Sequence, residues 1–232
     1  MRIESHGISD IGKKRKNNED VFAIVDGCGF YALADGMGGH QAGEVAAQMT
    51  VDLLCQHILN DESFRFPLPS SSLLSSLLAA IQKTNQHVYK KSVLREDWSG
   101  MGTTLSCLLL HEDLLVYGHV GDSRIYRYRD RLEQITNDHT SRNEKKKGKI
   151  TKAVGTSCSL EPEVGIVAPL SGDLFLICSD GLTDYLSDLE IEEILIQTPS
   201  DLSLLCQRLV NCANNRGGHD NITVLVLKVE ET

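Results

Sequence analysis

Apolar residues along this chain follow first a period of two, then a helical period, and then the cycle repeats. Val21-Phe22-Ala23-Ile24-Val25 and Phe30-Tyr31-Ala32-Leu33-Ala34 flank Asp26-Gly27-Cys28-Gly29, which predicts a β-hairpin. Beyond Gly43 the spacing of Val45, Met49, Leu53, Leu54 and Ile58 changes to one face of a helix. Pro67 and Pro69 interrupt it. Leu73, Leu74, Leu77, Leu78, Ile81 and Val88 then mark a second helix, with Ser70 to Ser72 as candidate N-caps. Strands are predicted at Thr103–Leu110, Leu114–Gly121, Arg124–Arg129 and Leu132–Ile135. The polar segment Ser141–Ile150 reads as an exposed loop. Val164–Ala168 and Asp173–Cys178 are further strands, Asp188–Gln197 and Leu202–Asn214 a second pair of helices, and Ile222–Val229 a last strand. Strands, helix pair, strands, helix pair, strand is the order of an α+β fold with antiparallel sheets, not of alternating βαβ units.

With 232 residues, 41% of them hydrophobic, the chain can bury a core as a single domain spanning 1–232. Its 23 basic and 32 acidic residues leave a net charge of −9. That balance argues against nucleic-acid binding, which calls for a basic face. The seven cysteines lie mostly in apolar runs and form no Cys-x-x-Cys pair, so they read as packing residues in a reducing compartment. The start, Met1-Arg2-Ile3-Glu4-Ser5-His6, is too polar for a signal peptide, and no apolar run approaches the ~20 residues of a membrane helix. A cytoplasmic protein without membrane association is the expectation.

The candidate chemistry is carried by aspartates beside glycine or glutamate: Asn18-Glu19-Asp20, Ala34-Asp35-Gly36, Gly121-Asp122-Ser123, Ser179-Asp180-Gly181 and His219-Asp220-Asn221. Asp35, Asp122 and Asp180 each follow a strand-like run. Carboxylates at strand ends, with glycine allowing the backbone to turn, gather hard oxygen donors at one sheet edge. An all-oxygen set selects Mg²⁺ or Mn²⁺ over zinc. Taken singly, Asp before Gly is most often only a turn. The pattern across the chain carries the argument.

Seven blocks in order give that pattern: Gly12…Arg15…Asn18-Glu19-Asp20; Ala34-Asp35-Gly36-Met37-Gly38-Gly39-His40…Gly43-Glu44; Gly102-Thr103-Thr104; His119-Val120-Gly121-Asp122-Ser123-Arg124; Thr136…Asp138-His139-Thr140; Cys178-Ser179-Asp180-Gly181-Leu182; and Gly217-Gly218-His219-Asp220-Asn221-Ile222-Thr223. In these blocks the sequence resembles the metal-dependent PPM (type 2C) protein serine/threonine phosphatases of bacteria. The resemblance implies two packed antiparallel β-sheets flanked by helix pairs on both outer faces. It implies hydrolysis of phosphoserine and phosphothreonine by a hydroxide held between two Mn²⁺ or Mg²⁺ ions, opposite a Ser/Thr protein kinase, in a monomer. It also implies roles for individual residues. Asp35 would bridge two ions. Glu19 and the Gly36 carbonyl would complete one of them, and Asp180 and Asp220 would hold the other. Asp20 would orient the attacking water, Asp122 with Asp180 would hold a third, weaker ion, and Arg15 would grip the phosphate.

Two departures stand out. In animal-type relatives a histidine follows the Asp-Gly and is a proposed general acid; here Met37 stands there, leaving His40 as a candidate. The helical flap that bacterial relatives insert after the Asp-His-Thr block is reduced to Ser141–Ile150, which carries Lys145, Lys146, Lys147 and Lys149. The sequence leaves two rivals. One is a catalytically weak binding module on the same fold, disfavoured because the carboxylates are kept. The other is a two-metal nuclease, disfavoured by the acidic charge.

Overall fold

A computed structural model describes residues 1–37, 42–64, 68–141, 148–198 and 201–230. The strands are β1 (Arg2–Asp10), β2 (Asp20–Val25), β3 (Phe30–Met37), β4 (Gly102–Thr103), β5 (Leu105–His111), β6 (Leu114–Val120), β7 (Arg124–Tyr128), β8 (Leu132–Gln134), β9 (Glu163–Val167), β10 (Leu174–Cys178) and β11 (Ile222–Glu230). The helices are α1 (Ala42–Asn60), α2 (Ser70–Leu94), a single turn α3 (Asp180–Thr183), α4 (Asp188–Gln197) and α5 (Leu202–Asn215). One sheet runs β1-β11-β10-β7-β8 and the other β2-β3-β5-β6-β9, with β4 paired to the end of β3. Every pairing is antiparallel. This is the α+β sandwich that the sequence predicts.

Alternation along the strands builds three layers of core. Inward residues Tyr31, Leu33, Leu108, Ile125, Phe175, Ile177, Leu225 and Leu227 meet between the sheets. Their neighbours Phe30, Ala32, Cys107, Leu109 and Val116 turn outward beneath Leu54, Ile58, Leu73, Leu77, Ile81 and Val88 of α1 and α2. On the opposite outer face Leu176, Cys178, Val224 and Val226 pack under Leu205, Leu209 and Val210 of α5 and Ile191 and Leu195 of α4. Strands covered on both faces need no polar side, and this is why Leu174–Cys178 and Val224–Leu227 read as unbroken apolar runs.

One strand carries little signal in the sequence, and three local expectations are corrected. Strand β1, paired over its whole length with β11, has no strong apolar pattern of its own. Ser70 to Ser72 do not cap α2; they are its first turn, Pro69 holds the cap position, and the Pro69 carbonyl accepts from the Ser72 and Leu73 amides at 2.9 and 3.1 Å. The strand expected over Thr103–Leu110 breaks at Thr104, whose amide donates to the Asp35 carbonyl at 2.9 Å. Cys158 is exposed and not a packing residue, although Cys107, Cys178 and Cys206 are buried and all seven thiols are free. By contrast, α4 starts on a capping box made by Ser187 and Glu190, and the Asp201 carboxylate accepts from the Leu204 amide at 2.9 Å to start α5.

Of the loop Ser141–Ile150, residues 142–147 lie outside the described residues, as do Gly38, Gly39 and His40. The base of that loop is a hairpin neck. Thr140 and Ile150 form an antiparallel bridge, and the Ser141 amide donates to the Lys149 carbonyl at 2.8 Å.

Candidate metal centre

The antiparallel pairing brings the quoted aspartates to one edge of the sandwich. Asp20 opens β2 directly opposite Asp35 near the end of β3. Asp180 follows β10, and Asp220 precedes β11, its antiparallel neighbour. Asp122 lies in the turn from β6 to β7. Arg15, on the segment between β1 and β2, reaches the same place, with Nη2 2.7 Å from Asp220 Oδ2. Arg15, Glu19, Asp20, Asp35, Gly36, Asp122, Asp180 and Asp220 therefore converge.

Glycine makes the close approaches possible. A Cβ on Gly36 would come within 2.3 Å of the Gly43 carbonyl oxygen and 2.7 Å of the Glu19 carbonyl oxygen. One on Gly43 would meet Glu19 Oε2 at 2.2 Å, and one on Gly181 the Asn221 carbonyl oxygen at 1.9 Å. The start of α1, the end of β3 and Glu19 thus touch backbone to backbone, which only glycine permits.

Electrostatics set the chemistry of the cluster. Burial, then the charges of Asp20, Asp180, Asp220 and Asp122, push the Asp35 carboxyl well above the usual carboxylate range. Asp20 is buried, and burial together with the charges of Asp180 and Asp220 raises it to about 6. Its Oδ2 accepts from Ser179 Oγ at 2.8 Å, whereas Oδ1 is buried without a hydrogen-bond partner. A crowd of carboxylates that repel one another, with one oxygen unsatisfied, fits a site built for hard divalent cations.

The polar scaffold around these carboxylates is what sequence reasoning missed. Asp35 is locked by its amide donating to Thr104 Oγ1 at 2.9 Å and its carbonyl accepting from Thr103 Oγ1 at 2.8 Å; Thr104 Oγ1 in turn lies 2.7 Å from Ser123 Oγ. Asn221 ties three segments together. Its Oδ1 accepts the Glu19 amide at 2.8 Å, and its Nδ2 donates to the carbonyls of Ile11 at 2.9 Å and Asn17 at 3.0 Å. The Asp-Asn pair in the last block was a visible signal, but only the aspartate drew a role from it. Met37 pairs with Gly102 and offers no proton.

His119, His139 and Glu163 bring ring nitrogens and a carboxylate oxygen within 4.8 Å of one another. Hydrogen bonds already occupy them. His119 Nδ1 lies 3.0 Å from Ser106 Oγ, and its Nε2 donates to the Asn137 carbonyl at 3.1 Å. His139 Nδ1 accepts the Gly121 amide at 3.1 Å, while Glu163 accepts from the Asn137 amide at 3.1 Å and from Tyr117 at 3.2 Å. Burial lowers His119 to about 4, with the neighbouring His139 adding to the shift, so its ring stays neutral, with its proton on the Nε2 that faces the Asn137 carbonyl. The cluster buttresses the turn that carries Asp122.

A helix-flanked double sheet with a carboxylate cluster at one edge defines the class, and the comparisons agree. Residues 10–224 match the model of the protein phosphatase 2C family, and the chain belongs to that family. Protein phosphatase PhpP of Streptococcus pneumoniae is 35% identical over 246 residues, covering 97% of this chain and 96% of that protein. Serine/threonine protein phosphatase PstP of Mycobacterium tuberculosis is 38% identical across 95% of this chain, which spans only 44% of that relative's length. The crystal structure of the M. tuberculosis phosphatase PstP/Ppp superposes with a TM-score of 0.88 at 36% identity, covering both chains in full. A structure of the PstP catalytic domain in complex with two manganese ions has a TM-score of 0.87 at 35% identity and covers 99% of each chain.

Proposed function

We propose that this chain is a divalent-metal-dependent phosphatase of phosphoserine and phosphothreonine in proteins, acting as one catalytic domain. The observation that carries this reading is the convergence of Asp20, Asp35, Asp122, Asp180 and Asp220, crowded enough to raise the Asp35 carboxyl. Membership of the phosphatase family and the manganese-bound neighbour support it. Glu19, Asp35, the Gly36 carbonyl, Asp180 and Asp220 would hold two Mn²⁺ or Mg²⁺ ions, and Asp122 with Asp180 a third. When bound, such ions supply positive charge to the phosphoryl group and lower the pKa of water. Arg15, anchored through one nitrogen to Asp220, keeps further guanidinium N–H donors for the phosphate oxygens. Asp20 Oδ1, buried without a partner, would accept a hydrogen bond from the attacking water and orient it.

The test is hydrolysis of a phosphothreonine peptide and of p-nitrophenyl phosphate with and without Mn²⁺. Turnover should need the ion and vanish in excess EDTA; equal turnover after full chelation would remove the metal reading. A Ser/Thr protein kinase as the opposing enzyme, a monomeric state and a cytoplasmic location belong to the same proposal. Seven free thiols support the location, and among the described residues no helix is long and apolar enough to cross a membrane.

Arg15→Ala should raise KM for phosphorylated substrates about tenfold while lowering kcat less. A phosphate-binding charge acts in the ground and transition states alike, and one lost charge-assisted hydrogen bond is worth about 1.5–3 kcal/mol. Steady-state kinetics decide it, and an unchanged KM would confine Arg15 to its ion pair with Asp220.

A further inference from the structure

A groove of about 710 Å³ begins beside the metal centre, at Asn18 and Asp20, and runs between α1 and β2. It is bounded at the mouth by Glu44, next to Gly43 and therefore next to Glu19. Its floor is apolar: Val21 from β2 and Val45, Met49 and Leu53 from α1, all partly exposed. Its polar rim carries Glu44, Gln48 and Asp52, and none of the residues lining it is basic. These α1 positions repeat every four residues, which places them on one helix face. Strand β2 is an edge of its sheet, so its outer backbone has no sheet neighbour.

We propose that this groove receives the polypeptide flanking the phosphoresidue and selects segments carrying arginine or lysine beside an apolar residue. The inference rests on the phosphatase reading and names the substrate class for that site. Geometry limits the reach. From Glu44 to Leu53 the helix rises about 14 Å at 1.5 Å per residue, the length of about four residues of extended chain. The selected basic residue therefore lies within about four positions of the phosphorylated one. The two charges of the substrate go to opposite places, the phosphate to Arg15 and the metal centre and the cationic side chain to the acidic rim. The partly exposed apolar floor between them accepts a side chain of Leu, Val or Met size. An extended segment can also take backbone hydrogen bonds from the β2 edge.

Two phosphothreonine peptides of equal length, one Arg-flanked and one Glu-flanked, test the proposal against Asp52→Lys and Gln48→Glu. Both positions are exposed on α1 and outside the metal centre. At low salt Asp52→Lys should lower kcat/KM for the Arg-flanked peptide about fivefold, and Gln48→Glu should raise it about twofold, with both effects shrinking at high salt. The Glu-flanked peptide should respond in the opposite direction, and p-nitrophenyl phosphate, too small to reach the groove, should not respond. Equal responses by both peptides, or no response to Asp52→Lys at low salt, would overturn the proposal. Binding of the labelled Arg-flanked peptide in EDTA, read by fluorescence anisotropy, should weaken by a similar factor in Asp52→Lys. That readout keeps the two readings apart. An unmodified protein that hydrolyses none of the substrates removes the phosphatase function, and the anisotropy still decides the groove. A change of sedimentation coefficient in Asp52→Lys would make the groove an interface between copies and would also overturn the proposal.

Discussion

Replacing Asp35, Asp180 or Asp220 by asparagine should each lower kcat on p-nitrophenyl phosphate about a thousandfold, or about 4 kcal/mol of barrier. The amide is isosteric but carries no charge, so what is lost is attraction for the cations. The same substitutions should not unfold the protein, and for Asp35→Asn the sign of the stability change is opposite to that of activity. In metal-free protein the folded-state pKa of Asp35 lies well above the unfolded value, because burial and four neighbouring carboxylates disfavour its charge. A carboxyl raised in this way contributes stability at pH values below its unfolded pKa and loses it as pH rises through its folded pKa. Asp20, raised to about 6, does the same over the window from about 4 to 6. Chelated protein should therefore melt at a lower temperature at pH 7 than at pH 4.5. Asp35→Asn should raise the melting temperature at pH 7, and Mn²⁺ should raise that of the unmodified protein more than that of the variant. Calorimetric melting in EDTA and in Mn²⁺ checks each step. A variant that loses both activity and chelated-state stability would have failed by misfolding, and the ligand assignment for Asp35 would have no support from it.

The strand cores and the ligand blocks were legible in the sequence for the same reason: both are local. Leu174–Cys178 and Val224–Leu227 are apolar throughout because helices cover one face and the second sheet the other. The aspartates stood out because each needs a glycine or a sharp turn beside it, within a few residues. What stayed hidden depends on partners far along the chain. Strand β1 offers little more than Ile3 and Ile8 as apolar anchors, and it is a strand because β11 supplies a nine-residue ladder more than two hundred positions away. The serine and threonine scaffold has the same difficulty. Ser179 meets Asp20 across 159 residues and Thr104 meets Asp35 across 69. In sequence, a hydroxyl residue in or beside a strand has the alternation of a solvent-facing position. The three serines in the first turn of α2 mislead in the opposite sense. Propensity favours serine at a cap, but Pro69, with φ of −54° and ψ of 140°, already has the extended geometry that a cap residue adopts, and its carbonyl begins the helix.

Asn221→Ala should cost both stability and function, and it is the sharpest test of how the N-terminal segment is held in the site. Three backbone groups depend on this one amide: the Glu19 N–H and the carbonyls of Ile11 and Asn17. The side chain is buried, so truncation strands those groups where water can reach them only by opening the structure. At about 1–3 kcal/mol for each group left unsatisfied, partly relieved by a water entering the space, a loss of about 3 kcal/mol is expected. Function should fall for a geometric reason. Asn221 fixes Glu19 at one end and the carbonyls bracketing Arg15 at the other, while its own amide N–H is bonded to Asp220 Oδ1 at 2.8 Å. Loosening it should weaken Mn²⁺ binding through Glu19 and raise KM through Arg15, about tenfold each if each residue loses about 1.4 kcal/mol of its interaction. Asn221→Asp separates the contributions. It keeps an acceptor for the Glu19 amide but presents a carboxylate oxygen to two carbonyls, so it should be at least as destabilising as the alanine. Titration calorimetry with Mn²⁺ and phosphopeptide kinetics, both well below the variant's melting temperature, provide the decisive comparison. If Mn²⁺ affinity and KM stay unchanged while the melting temperature falls, Asn221 serves the fold alone, and Glu19 and Arg15 are positioned by the rest of the segment between β1 and β2.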